Sequence, residues 1–186
     1  MDVHVLVVGD IMLDRYWHAD ANRISPEAPV PVASITDTHD RAGGAANVAQ
    51  NISSLGSQVT LVGAIGDDQE GVALKQILHK QNINTNLVSS SLVRTTSKIR
   101  IVSRNQQLIR LDFDDKAHSC RADIEQAFLA CVKQCSIVIL SDYGKGVLAE
   151  VQAIIQAAQT NNKKVIVDPK GTDFSKYKNA SVITPN

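Results

Sequence analysis

Several short stretches of this chain carry residues suited to holding a polyhydroxylated, charged ligand. The first is Arg41-Ala-Gly-Gly-Ala-Ala-Asn-Val-Ala-Gln50, a glycine pair that runs into a helix-forming segment with Asn47 in its first turn. Paired glycines let a backbone approach a ligand closely and adopt dihedrals closed to other residues. The N–H groups of a helix start have no intrahelical partner and can donate to hydroxyls or anions. A glycine pair also makes an ordinary turn before a helix, and the stretch alone does not separate the two. Asp10 and Asp14 follow one apolar run, and Asp142-Tyr-Gly-Lys-Gly146, Asp168-Pro-Lys-Gly171 and Thr184-Pro-Asn186 follow others. One aspartate after a strand is often only a cap or turn former, but polar groups at four strand ends outline a cleft. There Asp14 can accept from sugar hydroxyls, and the Asn47 amide can both donate and accept. Lys145 and Lys170, with glycines beside them, suit phosphate as compact, mobile charges, although a lysine is more often a solvated surface charge. The pattern is neither a Walker P-loop nor a dinucleotide fingerprint, because Gly43-Gly44 lacks a following Lys-Ser/Thr and a third glycine.

These residues need a frame that lines up strand ends. Val3–Val8, Val59–Val62, Ser136–Leu140, Val165–Val167 and Ser181–Ile183 are short apolar runs and read as buried strands. Between them, Ala45–Leu55 (with Gly56 as terminator), a stretch ending near Lys80, Ala122–Gln134 and Val147–Thr160 read as helices. Alternating strands and helices with continuously apolar strands predict an α/β fold, a mostly parallel sheet covered on both faces. Ligands of such sheets sit beyond the carboxyl ends of the strands. Two regions break the rhythm. Tyr16–Thr38 holds Pro26, Pro29 and Pro31 and has no helical period. Thr96–Asp112 reads as a β-hairpin turning through Arg104-Asn-Gln-Gln107. The two excursions can pair as a small separate sheet.

Composition narrows the partners. The 186 residues carry 19 basic and 19 acidic side chains, so no global field attracts nucleic acid. No apolar run is long enough to span a bilayer, and the N-terminus has no cleavable leader pattern. Cys120, Cys131 and Cys135 are odd in number. Cys131 and Cys135 would share a helical face, but no second ligand pair follows, so they read as core or surface thiols in a reducing cytoplasm.

Taken together, Gly9-Asp10-Ile-Met-Leu-Asp14, Gly43-Gly44-Ala-Ala-Asn47, Gly63-Ala-Ile-Gly66-Asp67-Asp68 and Thr184-Pro-Asn186 resemble the ribokinase-like (PfkB) sugar kinases. Arg15-Tyr-Trp17, Arg23-Ile-Ser-Pro-Glu-Ala-Pro-Val-Pro31, Ser103-Arg-Asn-Gln-Gln-Leu-Ile-Arg-Leu-Asp112 and Ser141-Asp-Tyr-Gly-Lys-Gly146 look like the heptose-7-phosphate kinase domains of bifunctional heptose kinase/adenylyltransferases. The resemblance runs from end to end of the chain.

It implies ATP-dependent phosphorylation, with magnesium, of D-glycero-β-D-manno-heptose 7-phosphate at its anomeric hydroxyl. That step supplies ADP-heptose for lipopolysaccharide. It also implies a β lid, about residues 12–38 and 96–113, over the sugar and in a homodimer contact. By resemblance Asp14, Gly43, Gly44 and Asn47 contact the sugar, while Lys98 and Arg104 or Arg110 reach its phosphate from the lid. Asp142 and Lys145 line the transfer region, with Lys170 nearby, and Asn186 opens the Asn-x-x-Glu element that organises magnesium and phosphate. The Glu of that element and the Gly-Ala-Gly-Asp motif with the family's general base are not among the 186 residues. The expectation is therefore an N-terminal part of a kinase domain, nearly inactive alone. Another ribokinase-like kinase, for a different sugar or a nucleoside, and a non-catalytic sugar-phosphate-binding or dimerisation module are the competing readings.

Overall fold

The computed structural model describes residues 3–185. Strands β1 (His4–Gly9), β4 (Gln58–Gly66), β5 (Asn84–Ser90), β8 (Ile137–Ser141), β9 (Lys164–Asp168) and β10 (Val182–Ile183) form a sheet in the order β10-β9-β8-β1-β4-β5. All of its pairings are parallel. Side chains alternate across a strand, so Val5 and Val7 of β1 point to one face and Leu6 and Val8 to the other. The first face packs against α1 (Ala45–Ser54) and α2 (Gln69–Lys80) through Ala45, Ala49, Leu74 and Leu78. The second packs against α3 (Arg121–Val132) and α4 (Val151–Thr160) through Ile124, Phe128, Ile154 and Ile155. Cover on both faces is why these strands read as unbroken apolar runs. With β4–β5 on one side of β1 and β8–β9–β10 on the other, the connections diverge at β1, where such sheets open a ligand crevice.

The remaining strands, β2 (Ile11–Ile24), β3 (Pro31–Gly44), β6 (Ser97–Ser103) and β7 (Gln106–Phe113), form a second sheet in the order β3-β2-β6-β7. β2 starts one residue after β1 ends, so the lid grows directly from the core. The β6–β7 hairpin turns at Arg104 and Asn105, whose φ values of 48° and 66° suit a two-residue primed turn. Arg15 projects to the side opposite Asp14 and contacts Asp40 of β3 and Glu70 of α2, each at 3.3 Å, tying the lid to the core.

Four local features differ from the sequence reading. Gly43 and Gly44 are the last two residues of β3, paired with Met12 and Ile11, rather than a loop before the helix. α4 begins at Val151, not Val147, because the Val147 amide is drawn to the Asp10 carboxylate and residues 147–150 form a turn. β5 was not anticipated: Asn84-Thr-Asn-Leu-Val-Ser-Ser90 is a polar edge strand with no apolar run. α3 ends at Val132, so Cys135 lies past the helix and shares no helical face with Cys131; its thiol donates to the Val132 carbonyl at 3.2 Å.

Candidate functional site

At the carboxyl end of β1, Asp10 is almost fully buried. Its Oδ2 accepts from the amides of Tyr143 and Lys145 at 2.8 and 3.0 Å, and its Oδ1 from that of Val147 at 3.1 Å. Its backbone carbonyl accepts from the Ala45 amide at 2.9 Å, fixing the start of α1. Burial pushes the Asp10 carboxyl above the usual carboxylate range; the three amides pull it back in part, and the Asp142 charge adds to the rise. One residue thus holds both, the glycine–lysine loop after β8 through its carboxylate and the helix that carries Asn47 through its backbone carbonyl. Asn47 is exposed in the first turn of α1, and the preceding Gly44 (φ 58°) offers no side chain to cap that turn. A Cβ at Gly43 would collide with Oδ2 of Asp14, and one at Gly44 with the Asp10 carbonyl.

Register sets the inner face of the lid. Asp14 pairs with Arg41 on β3 and with Lys98 on β6, while Arg100 pairs with Tyr16 on β2 and with Arg110 on β7. These residues and Asp112 therefore lie on one side of the lid. Arg100 Nη1 donates to Asp14 Oδ1 at 2.6 Å. Arg110 grips Asp112 with two bonds of 2.7 and 3.0 Å, and that contact holds the Asp112 carboxyl below its usual range. The lid meets the β8 loop where Lys145 Nζ pairs with Asp114, just past β7. Burial, then the charges of Asp168 and Asp14, raise the Tyr143 phenol between the two sheets.

The other strand-end residues occupy different roles. Asp142 is buried and internally satisfied. It accepts from the Tyr177 hydroxyl at 2.6 Å, Lys176 Nζ at 2.8 Å and the Gly144 amide at 2.7 Å. The Tyr177 hydroxyl in turn accepts from the Lys170 amide at 3.1 Å, which links the loops after β8 and β9. Lys170 itself is exposed. Asp14, Gly43, Lys98, Arg110 and Lys145 thus converge, with Gly44 and Asn47 alongside. Arg104 does not join them. It sits at the hairpin turn bonded to Asn22 at 2.6 Å, six residues beyond Lys98 and so about 20 Å along the strand. Asn186 lies outside the described residues. The sequence reading missed Arg100, Arg41 and Tyr16; the period-two spacing of Lys98 and Arg100 was the signal available. Among the described residues, no group of three or more His, Cys, Asp or Glu side chains converges as a metal site. A hollow of about 570 Å³ beside α2, lined by residues such as Gly66 and Lys75, holds none of the converging groups and is a shallow surface feature.

The model of the pfkB family carbohydrate kinases matches residues 3–186. The chain belongs to this family. It is 52% identical over 184 residues to the bifunctional protein HldE of Haemophilus influenzae strain PittEE, covering 98% of this chain and 38% of that protein. It is 49% identical over 183 residues to HldE of Methylococcus capsulatus, covering 98% and 39%. The chain thus spans under two fifths of the length of these curated relatives. Among solved structures, Arabidopsis thaliana ribokinase complexed with ribose and ATP superposes with a TM-score of 0.76 at 18% identity, covering 100% of this chain and 60% of that one. The tetrameric inhibited form of phosphofructokinase-2 from Escherichia coli gives 0.74 at 22% identity, covering 100% and 61%. These likenesses establish the ribokinase-like fold of this PfkB chain. Among the described residues, no helix is long and apolar enough to cross a membrane.

Two measurements test the electrostatic frame. Asp10→Ala would strand one buried and two half-buried amides and is expected to cost ~2 kcal/mol in urea unfolding; a loss under ~1 kcal/mol would remove Asp10 from its organising place. Asp168 is raised above the usual 3.8 by burial and then by the Asp142 charge. Its ionised form therefore costs stability above its folded pKa and nothing once pH falls below the unfolded value. Asp168→Asn should be more stable than the unaltered chain at pH 7, with the gain vanishing as pH approaches 3. Equal stability at pH 7 would contradict the assigned burial.

Proposed function

We propose that this PfkB chain holds the acceptor for ATP-dependent, magnesium-assisted phosphorylation of D-glycero-β-D-manno-heptose 7-phosphate at its anomeric hydroxyl. The observation that carries the reading is the inner face of the lid, where Lys98, Arg100 and Arg110 gather beside Asp14 and Gly43. A neutral sugar has no use for so many cations, whereas a sugar phosphate needs hydroxyl acceptors at one end and guanidinium or ammonium groups at the other. High identity to HldE proteins over nearly the whole chain supports the heptose assignment. Asp14 and Asn47 would take the sugar hydroxyls, Lys98 and Arg110 the 7-phosphate, and Lys145 and Lys170 the transferring phosphate. Phosphoryl transfer rests on positioning and charge stabilisation, and Asp10 supplies the positioning by fixing the Lys145 loop against α1. We place the reaction in the cytoplasm, where ATP is available.

Calorimetry with heptose 7-phosphate, ribose and fructose 6-phosphate tests the assignment. Heptose 7-phosphate should bind at least ~10-fold more tightly than either competitor, and Asn47→Ala should weaken it by about fivefold, one ordinary hydrogen bond. Tighter binding of ribose would sink the heptose reading.

We also propose that two copies pair through their lids. Ile24, Val30, Ile35, Leu108 and Ile109 of the lid are exposed apolar side chains, a density that marks contact surfaces. Sedimentation should show a dimer at micromolar concentration that Ile109→Lys shifts towards monomer; a monomer in both would end the proposal.

A further inference from the structure

The inner face of the lid contains an unusual charge arrangement. Arg100 and Arg110 stand directly opposite each other in the antiparallel β6–β7 ladder, where like charges repel. Each is relieved by its own carboxylate, Arg110 by Asp112 and Arg100 by Asp14. The Arg100–Asp14 contact is short, 2.6 Å, with each side chain about one-fifth exposed, so solvent screens it only in part. Arg100 also lies over the Tyr16 ring, 5.2 Å from its centroid, and Arg41 lies over the same ring at 5.1 Å. Tyr16 therefore holds Arg100 by a weak, direction-tolerant contact. Arg41 and Lys98 make no ion pair among the described residues.

Asp14 is the carboxylate assigned to the acceptor's hydroxyls, yet one of its two oxygens is already taken by a guanidinium. From this geometry, and resting on the sugar-phosphate reading above, we infer that Arg100 masks Asp14 until a phosphorylated acceptor arrives. The acceptor's phosphate draws Arg100 away, and Asp14 becomes free to receive hydroxyls. A phosphate carries more charge and more acceptor oxygens than one carboxylate, so it competes well for the guanidinium fork. An unphosphorylated sugar brings nothing to exchange and must displace the cation unaided. Discrimination against neutral sugars thus comes from a penalty on the wrong ligand as well as from attraction of the right one. Arg100 is a specificity-determining residue, with Tyr16 as the platform on which it turns.

The signature is opposite effects on two ligands. The whole chain is titrated with heptose 7-phosphate, with the unphosphorylated heptose, and with that heptose in the presence of inorganic phosphate, folding being checked by circular dichroism. Arg100→Gln should weaken heptose 7-phosphate by at least ~10-fold, the loss of a charge-assisted hydrogen bond, and tighten unphosphorylated heptose by about fivefold, the release of a partly screened ion pair. In the unaltered chain, inorganic phosphate should raise affinity for unphosphorylated heptose, a coupling that linkage makes reciprocal; this arm needs no variant. A mere phosphate ligand would leave neutral-sugar affinity untouched, and a structural role would lower both. Either result, or inorganic phosphate failing to promote heptose binding, would overturn the inference while leaving the heptose-phosphate reading intact. No binding of any of these ligands by the unaltered chain would overturn both.

Discussion

The architecture of the site depends on one buried carboxylate. Asp10 sits where β1 ends, and its two oxygens receive three amides from a loop 133 to 137 residues further along the chain. Burying an ion costs several kcal/mol unless its lone pairs are filled, so the loop has little freedom to depart from the path that fills them. The Asp10 carbonyl meanwhile fixes the first residue of α1. Remove the carboxylate and the Lys145 loop loses its reference to α1, which the backbone carbonyl still holds, even though no side chain of the loop has changed.

Around this fixed point the charges are arranged in alternation. Within β2, Asp14 and Tyr16 face the cleft while Arg15 faces away and reaches Glu70 of α2. One strand thus binds the lid to the body with one set of side chains and presents the proposed ligand face with the other. The inner face is crowded with like charge that internal carboxylates offset. Like charges gathered on one face cost stability, a local conflict of the kind that functional sites commonly carry.

Much of the frame was legible in the sequence because burial on both faces writes itself as apolar runs. β1, β4, β8 and β9 are the clear cases. β5 was hidden because an edge strand needs no such run, and Asn84–Ser90 is polar along most of its length. The start of α4 was misplaced by a tertiary contact, the pull of Asp10 on the Val147 amide, which no local pattern encodes. The polar motifs pointed to the strand ends, where Asp14, Gly43, Lys98 and Arg110 do meet. Arg100 stands in no motif, and only the strand face it shares with Lys98 marks it. Arg104 was grouped with Arg110, yet the hairpin turn carries it to the far end of the lid beside Asn22. The linking part played by Asp10 could not be read at all, since backbone amides have no sequence signature.

The single residue between β1 and β2 has a mechanical consequence. A cap mounted on a flexible joint swings freely, and its closing costs mainly entropy. This one is a cantilever: its root is Asp10, anchored by five hydrogen bonds, and its ribbon leaves the body already paired with β3 and β6. Displacement must come from elastic twist distributed along β2, with the bulges at His18/Ala19 and Asp20/Arg23 as the compliant points. The tip beyond those bulges can bend while Asp14, close to the root, stays nearly still. Stiffness therefore rises towards Asp14, the residue proposed to hold the acceptor's hydroxyls.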